Sequence, residues 1–99
     1  MSGGFFNYDQ HRLMDMAEKI QYIIDNNDNK ELDDWGEPIG RGCSKETIGW
    51  FKRTVFALKT AHIMAHRADW LLSGDDSEAA YNKRLEEELT VLVQEEDDE

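Results

Sequence analysis

The chain has 99 residues, 22 acidic and 11 basic, and a formal net charge of −11 at pH 7. That length allows one domain, and that charge disfavours nucleic-acid binding across the whole surface, because phosphates are repelled. A single cysteine, Cys43, excludes an intrachain disulfide. No apolar stretch approaches the ~18 residues of a membrane span, and Met1–Phe6 lacks the basic region and long apolar run of a signal peptide. The expectation is a cytoplasmic protein with no membrane partner, whose 39% apolar residues supply a real core.

The charge is unevenly placed. Residues 1–44 carry four basic and nine acidic side chains, residues 45–74 five and two, and residues 75–99 two and eleven. The middle segment is a basic island in an acidic chain.

A first helix is predicted over about 8–25. Leu13, Met16, Ala17, Ile20, Ile23 and Ile24 recur at helical spacing, and Asp9 is placed to cap its start. The run Asn26-Asn27-Asp28-Asn29 ends it, because these side chains compete for the helical backbone. A connection of roughly twenty residues follows, with Pro38 forbidding regular helix and glycines marking tight turns. Glu31 to Trp35 reads as a short helical turn, with Trp35 and Ile39 tucked onto the core. A long connection in so small a domain is often functional.

A long central helix is predicted over 44–72, with Ser44 as N-cap. Ile48, Phe51, Val55, Leu58 and His62 follow one stripe, and Trp50, Phe56, Ile63, Trp70 and Leu71 add apolar area on other faces. A helix apolar on several sides is central or shared with a second subunit. Gly74 suits a left-handed position after the helix end, and Asp75 with Glu78 reads as a capping box. A third helix follows over 75–93, with Tyr81, Leu85, Leu89 and Leu92 on one face. Residues 1–94 form one helical domain in this reading, and 95–99 an acidic disordered tail.

Four patterns are candidates for chemistry. Lys45, Lys52, Lys59 and His66 recur every seven residues and make a positive stripe. In an anion-binding reading Lys52, Lys59 and Arg67 hold phosphates while Trp70 or Tyr81 stacks a base; the competing reading pairs these lysines with the acidic third helix or its tail. His62, His66 and Asp69 lie on one helical face, a set able to hold a divalent metal, with His11 or Asp15 completing it if the helices pack that way. The zincin pattern needs Glu after the first histidine, where Ile63 stands, so no metal or other cofactor is expected. The Ser73-Gly74-Asp75-Asp76 carboxylates suit Mg²⁺ or Ca²⁺, but capping accounts for them. Cys43 has no matched His–Asp arrangement, and no catalytic residue is assigned. Lastly, Glu86, Glu87 and Glu88 present dense negative charge, which can face a protein that normally grips phosphates.

The stretch Arg67-Ala68-Asp69-Trp70-Leu71-Leu72-Ser73-Gly74-Asp75-Asp76-Ser77-Glu78, with Arg84-Leu85 and Leu89, resembles a group of short proteins of bacterial genomes, prophages and phages. The opening Ser2-Gly3-Gly4-Phe5-Phe6-Asn7-Tyr8 is similar to theirs too. The resemblance names no activity, and His62 and His66 are not part of the shared pattern. It implies a phage-type setting, in which small acidic helical proteins act as stoichiometric inhibitors of host systems, including defence.

The reading is therefore an all-α, three-helix antiparallel assembly with a long central helix, expected to be a homo-oligomer. The expected function is non-enzymatic binding of a host protein, an anti-defence inhibitor with Glu86–Glu88 facing the partner. The alternatives are a sponge for an anionic nucleotide signal on the basic helix, and a metal-dependent hydrolase through His62, His66 and Asp69.

Overall fold

The computed structural model describes residues 4–97, with side chains to residue 95. The described residues form three helices, α1 (His11–Asp25), α2 (Lys45–Leu72) and α3 (Glu78–Asp97), and no strand. Each helix runs antiparallel to the one before it, and α2 is the central member.

α1 starts three residues later than the apolar pattern predicts. Asn7 and Tyr8 have φ of 55° and 66°, a left-handed conformation that breaks the helical path, so residues 4–10 wind through successive turns instead. Asp9 does not cap α1. Gln10 holds the N-cap position with no side-chain bond, and Asp9 makes a solvent-exposed ion pair with Arg12 at 3.7 Å. At the other end Asn26 Nδ2 donates to Tyr22 O at 2.9 Å, the competition for backbone carbonyls that the asparagine run implies.

The connection is a zipped hairpin, not a helical turn. Gly42 N–H donates to Asn27 O, Gly40 N–H to Asn29 O, Ile39 N–H to Glu31 O and Asp33 N–H to Glu37 O, all within 2.8–3.0 Å. Asn27 locks its base by donating to Cys43 O at 3.0 Å and accepting from Cys43 N–H at 2.8 Å. Asp33 Oδ1 closes its tip by accepting from the N–H groups of Trp35 and Glu37. Gly40 is required by space, since a Cβ there would sit 2.5 Å from the carbonyl oxygens of both Asn26 and Asn27. This ladder carries Trp35 away from the helices. Trp35 is 88% exposed rather than tucked onto the core, and Ile39 is half-buried.

Ser44 caps α2 by accepting from Thr47 N–H at 3.3 Å, and Gly49 lies inside the helix without interrupting it. α2 ends in a paired closure in which Asp75 N–H donates to Trp70 O and Gly74 N–H to Leu71 O. The predicted capping box is not used. Ser77 caps α3 instead, accepting from Ala80 N–H at 3.1 Å. α3 continues through Asp97, absorbing the first part of the expected tail; Asp98 and Glu99 lie outside the described residues.

Apolar burial is thin. Among the described residues only Ala17, Val55 and Leu92 are buried apolar side chains, and no large side chain is fully enclosed. The cause is topological. α1 and α3 each pack on α2 but not on each other, so there are two seams rather than one bundle core. The predicted stripes do line these seams, but Met16 stays 45% exposed and Leu85 and Leu89 are only half-buried. Among the described residues no helix is long and apolar enough to cross a membrane.

Candidate functional site

The Arg67-Ala68-Asp69-Trp70 stretch is a junction of three parts of the chain. Asp69 is 5% exposed and accepts from Phe6 N–H at 2.9 Å. Gly4 crosses directly over the same carboxylate, where a Cβ would lie 2.6 and 2.7 Å from its two oxygens, and has φ +59°. Only glycine fits there. Two residues back, on the opposite side of the helix, Arg67 faces α3, with Nε 2.8 Å from Glu88 Oε1 and a terminal nitrogen 3.6 Å from Asp76 Oδ2. Neither contact has hydrogen-bond alignment, so these are ionic contacts. Arg84 completes the group at 2.9 Å from Asp76 Oδ1. The Arg67 guanidinium also lies 5.4 Å from the centre of the Trp70 ring. Arg67 is thus committed to the α2–α3 hairpin and Asp69 to the N-terminal segment. These contacts differ from the phosphate role that the anion-binding alternative gives Arg67 and from the metal role that the hydrolase alternative gives Asp69.

Beside this junction the α1–α2 seam gathers His11, His62 and His66. His11 Nδ1 and His62 Nε2 are 3.2 Å apart, and the ring centres are separated by 5.3 Å (His11–His62), 5.6 Å (His11–His66) and 6.0 Å (His62–His66). Tyr8, with its positive φ, stacks on His11 at 6.2 Å, and Trp70 meets His66 edge-on at 5.8 Å. His66 Nδ1 is buried and has no hydrogen-bond partner. His11 is exposed, so the cluster opens to solvent along α1.

Burial, reinforced by the nearby His11 and His66, holds His62 below its ordinary 6.5, against an upward pull from Glu88. Burial, then Arg67 and His11, do the same to His66, opposed by Glu88 and Asp69. Both rings are therefore neutral near pH 7. For such groups the unfolded chain binds more protons in the window below about 6.5, so stability falls as pH falls through it. The thermal midpoint is expected to drop between about pH 7.5 and about pH 5.5, and His66→Gln to flatten that dependence. An equally steep profile in the variant would remove His66 as the source of the loss.

The remaining predicted residues are scattered. Lys45 and Lys52 are exposed and Lys59 half-buried. Among the described residues none of them has a carboxylate within ion-pairing distance, so the competing pairing is not made with the described side chains of α3; the side chains of 96–99 lie outside them. Arg53 stacks on Trp50 at 5.0 Å. Tyr81 is half-buried; Glu86 and Glu87 are exposed, while Glu88 is turned toward Arg67. Asp15 is exposed and joins no cluster. The partners missed in sequence are Gly4 and Phe6, which meet Asp69 across more than sixty residues. No protein-family model matches the chain, and no curated protein or solved structure matches it.

Proposed function

We propose that this chain is a non-enzymatic binding protein of phage or prophage type, which acts as an assembly of several copies and inhibits a host system by stoichiometric binding. The open fold carries this reading. The chain exposes 7347 Å², whereas a folded monomer of 11.5 kDa exposes about 5,800 Å². Its radius of gyration is 17.1 Å, against about 12.6 Å for a compact chain of this length. Trp35, Trp50, Leu72 and Val91 are each more than half exposed, so apolar area remains to be covered, and additional copies of the chain cover it best. In the assembled form the exposed Glu86 and Glu87 supply the partner-facing charge, and the resemblance supplies the setting.

The test has two parts. If the assembly completes the fold, the thermal midpoint rises with protein concentration and native mass spectrometry gives a multiple of the chain mass. A midpoint unchanged over about hundredfold dilution, with a monomer mass, would remove the assembly. The double variant Glu86→Lys/Glu87→Lys is expected to stay folded and to lose inhibition in the host. Full inhibition by that variant would remove the acidic interface.

A second reading is favoured by the lysines of α2. Lys52 and Lys59 stand one heptad apart, and among the described residues neither has a carboxylate within ion-pairing distance, which leaves them placed to take an anionic nucleotide. Stabilisation by one nucleotide class, lost in Lys52→Glu, would replace the protein-partner reading with the nucleotide one.

A further inference from the structure

We propose that His11, His62 and His66 form a binding site for one divalent transition metal ion of the zinc class, bridging α1 and α2. The three come from distant positions and are the only histidines of the chain. Three imidazoles around one tetrahedral ion at about 2.0–2.1 Å place their ligand nitrogens about 3.3 Å apart and their ring centres about 5 Å apart. His11 Nδ1 and His62 Nε2, which share a hydrogen bond at 3.2 Å, already stand at the length of one edge of that tetrahedron, and the ion would take the place of the shared proton. The ring-centre distances of 5.3, 5.6 and 6.0 Å lie close to the required spacing.

As the side chains stand, no three donors among the described residues converge on one point. The reason is the third ring, since His62 and His66 lie nearly parallel at 11°. Rotation of the His66 ring about its outer torsion, a soft motion, turns a nitrogen toward the pair. His66 Nδ1 loses no hydrogen bond in that rotation, because it has none. His62 and His66 are four residues apart on one helix, so their Cβ atoms already share a face.

The surroundings suit a cation held by neutral ligands. Burial keeps the protons off His62 and His66. Glu88 exerts a favourable field at both rings, partly offset by Arg67 at His66. Imidazole selects zinc, nickel, cobalt and copper over magnesium and calcium, and solvent at exposed His11 supplies a water for the fourth position. The left-handed Asn7 and Tyr8 bring Tyr8 over the His11 ring, and such backbone outliers cluster at functional sites.

The experiment titrates Zn²⁺ into the full chain, freed of metal by chelator, near pH 7.5. The expected result is one ion per chain and a rise in thermal midpoint of about 10 °C at hundredfold excess over Kd. Co²⁺ is expected to give the intense visible absorption of a tetrahedral site. Ca²⁺ and Mg²⁺ are expected to give no comparable shift, which separates the imidazoles from the carboxylate surface. His11→Ala touches an exposed side chain and leaves the fold intact; it is expected to weaken Zn²⁺ at least about tenfold. Zn²⁺ binding that His11→Ala leaves unchanged, a Co²⁺ complex without tetrahedral bands, or no saturable binding at micromolar Zn²⁺ would each overturn the site. These readouts follow each chain separately, so they hold whether or not the host-inhibitor reading survives.

Discussion

Arg67→Ala is expected to destabilise the chain by about 2 kcal/mol, lowering the thermal midpoint by about 10 °C. The Arg67 side chain is 14% exposed and that of Asp76 3%. Removing the cation leaves a buried carboxylate with a single partner, Arg84, and strips Glu88 of its contact. A fully buried pair broken this way costs more; the 37% exposure of Glu88 moderates the loss, since water replaces part of it. Arg67→Lys is expected to recover less than half, because one ammonium group cannot reach Glu88 and Asp76 together. Arg84→Ala, removing a 51%-exposed side chain, is expected to cost under about 1 kcal/mol. Thermal unfolding of the three variants checks the order. A loss from Arg84→Ala equal to that from Arg67→Ala would mean that the turn, not the α2–α3 contact, holds the hairpin.

Asp69→Ala is expected to release the N-terminal segment, at a cost of about 1–3 kcal/mol. Its carboxylate is the acceptor for Phe6 N–H and the floor beneath Gly4. With it gone, the amide protons of residues 4–10 are expected to exchange faster, while those of α3 keep most of their protection. Asp69→Asn retains an acceptor oxygen and is expected to lose much less. Gly4→Ala fails for a different reason, combining a left-handed φ with a Cβ driven into the carboxylate. The double variant Gly4→Ala/Asp69→Ala is therefore expected to be less damaged than the sum of its parts, since one change removes the object of the other's clash. Strict additivity would show that Gly4 acts through its φ alone.

Gly4 to Phe6 and Arg67 to Asp76 touch through Asp69, while Arg67 ties the same helix to α3. These contacts hold three segments together at one end of α2. The histidine cluster lies against that junction, and Trp70 contacts both Arg67 and His66.

Local physics made much of the architecture legible in the sequence. Ser44 before an apolar run, Gly74 after one and asparagines behind Asp25 set helix ends through bonds made within a few residues, and the all-α class followed from apolar spacing. Where Asp9 and Asp75 were expected to cap, neighbouring backbone geometry decided otherwise: left-handed Asn7 and Tyr8 delayed α1, and the turn after Leu72 brought Ser77 into the N-cap position. The hairpin that carries Trp35 outward rests on backbone pairing between residues up to fifteen apart, which apolar periodicity does not report.

The candidate site was only half readable. The spacing of His62 and His66 along one helix placed them on one face, but adding His11 and withdrawing Asp69 depended on how α1 and the N-terminal segment lie on α2. Likewise, composition shows enough apolar residues for a core, whereas the failure of α1 and α3 to meet is what leaves those residues exposed. Helix ends and faces are fixed by neighbours a few residues apart. Which faces meet depends on packing between segments as many as sixty residues apart, and only the tertiary structure decides that.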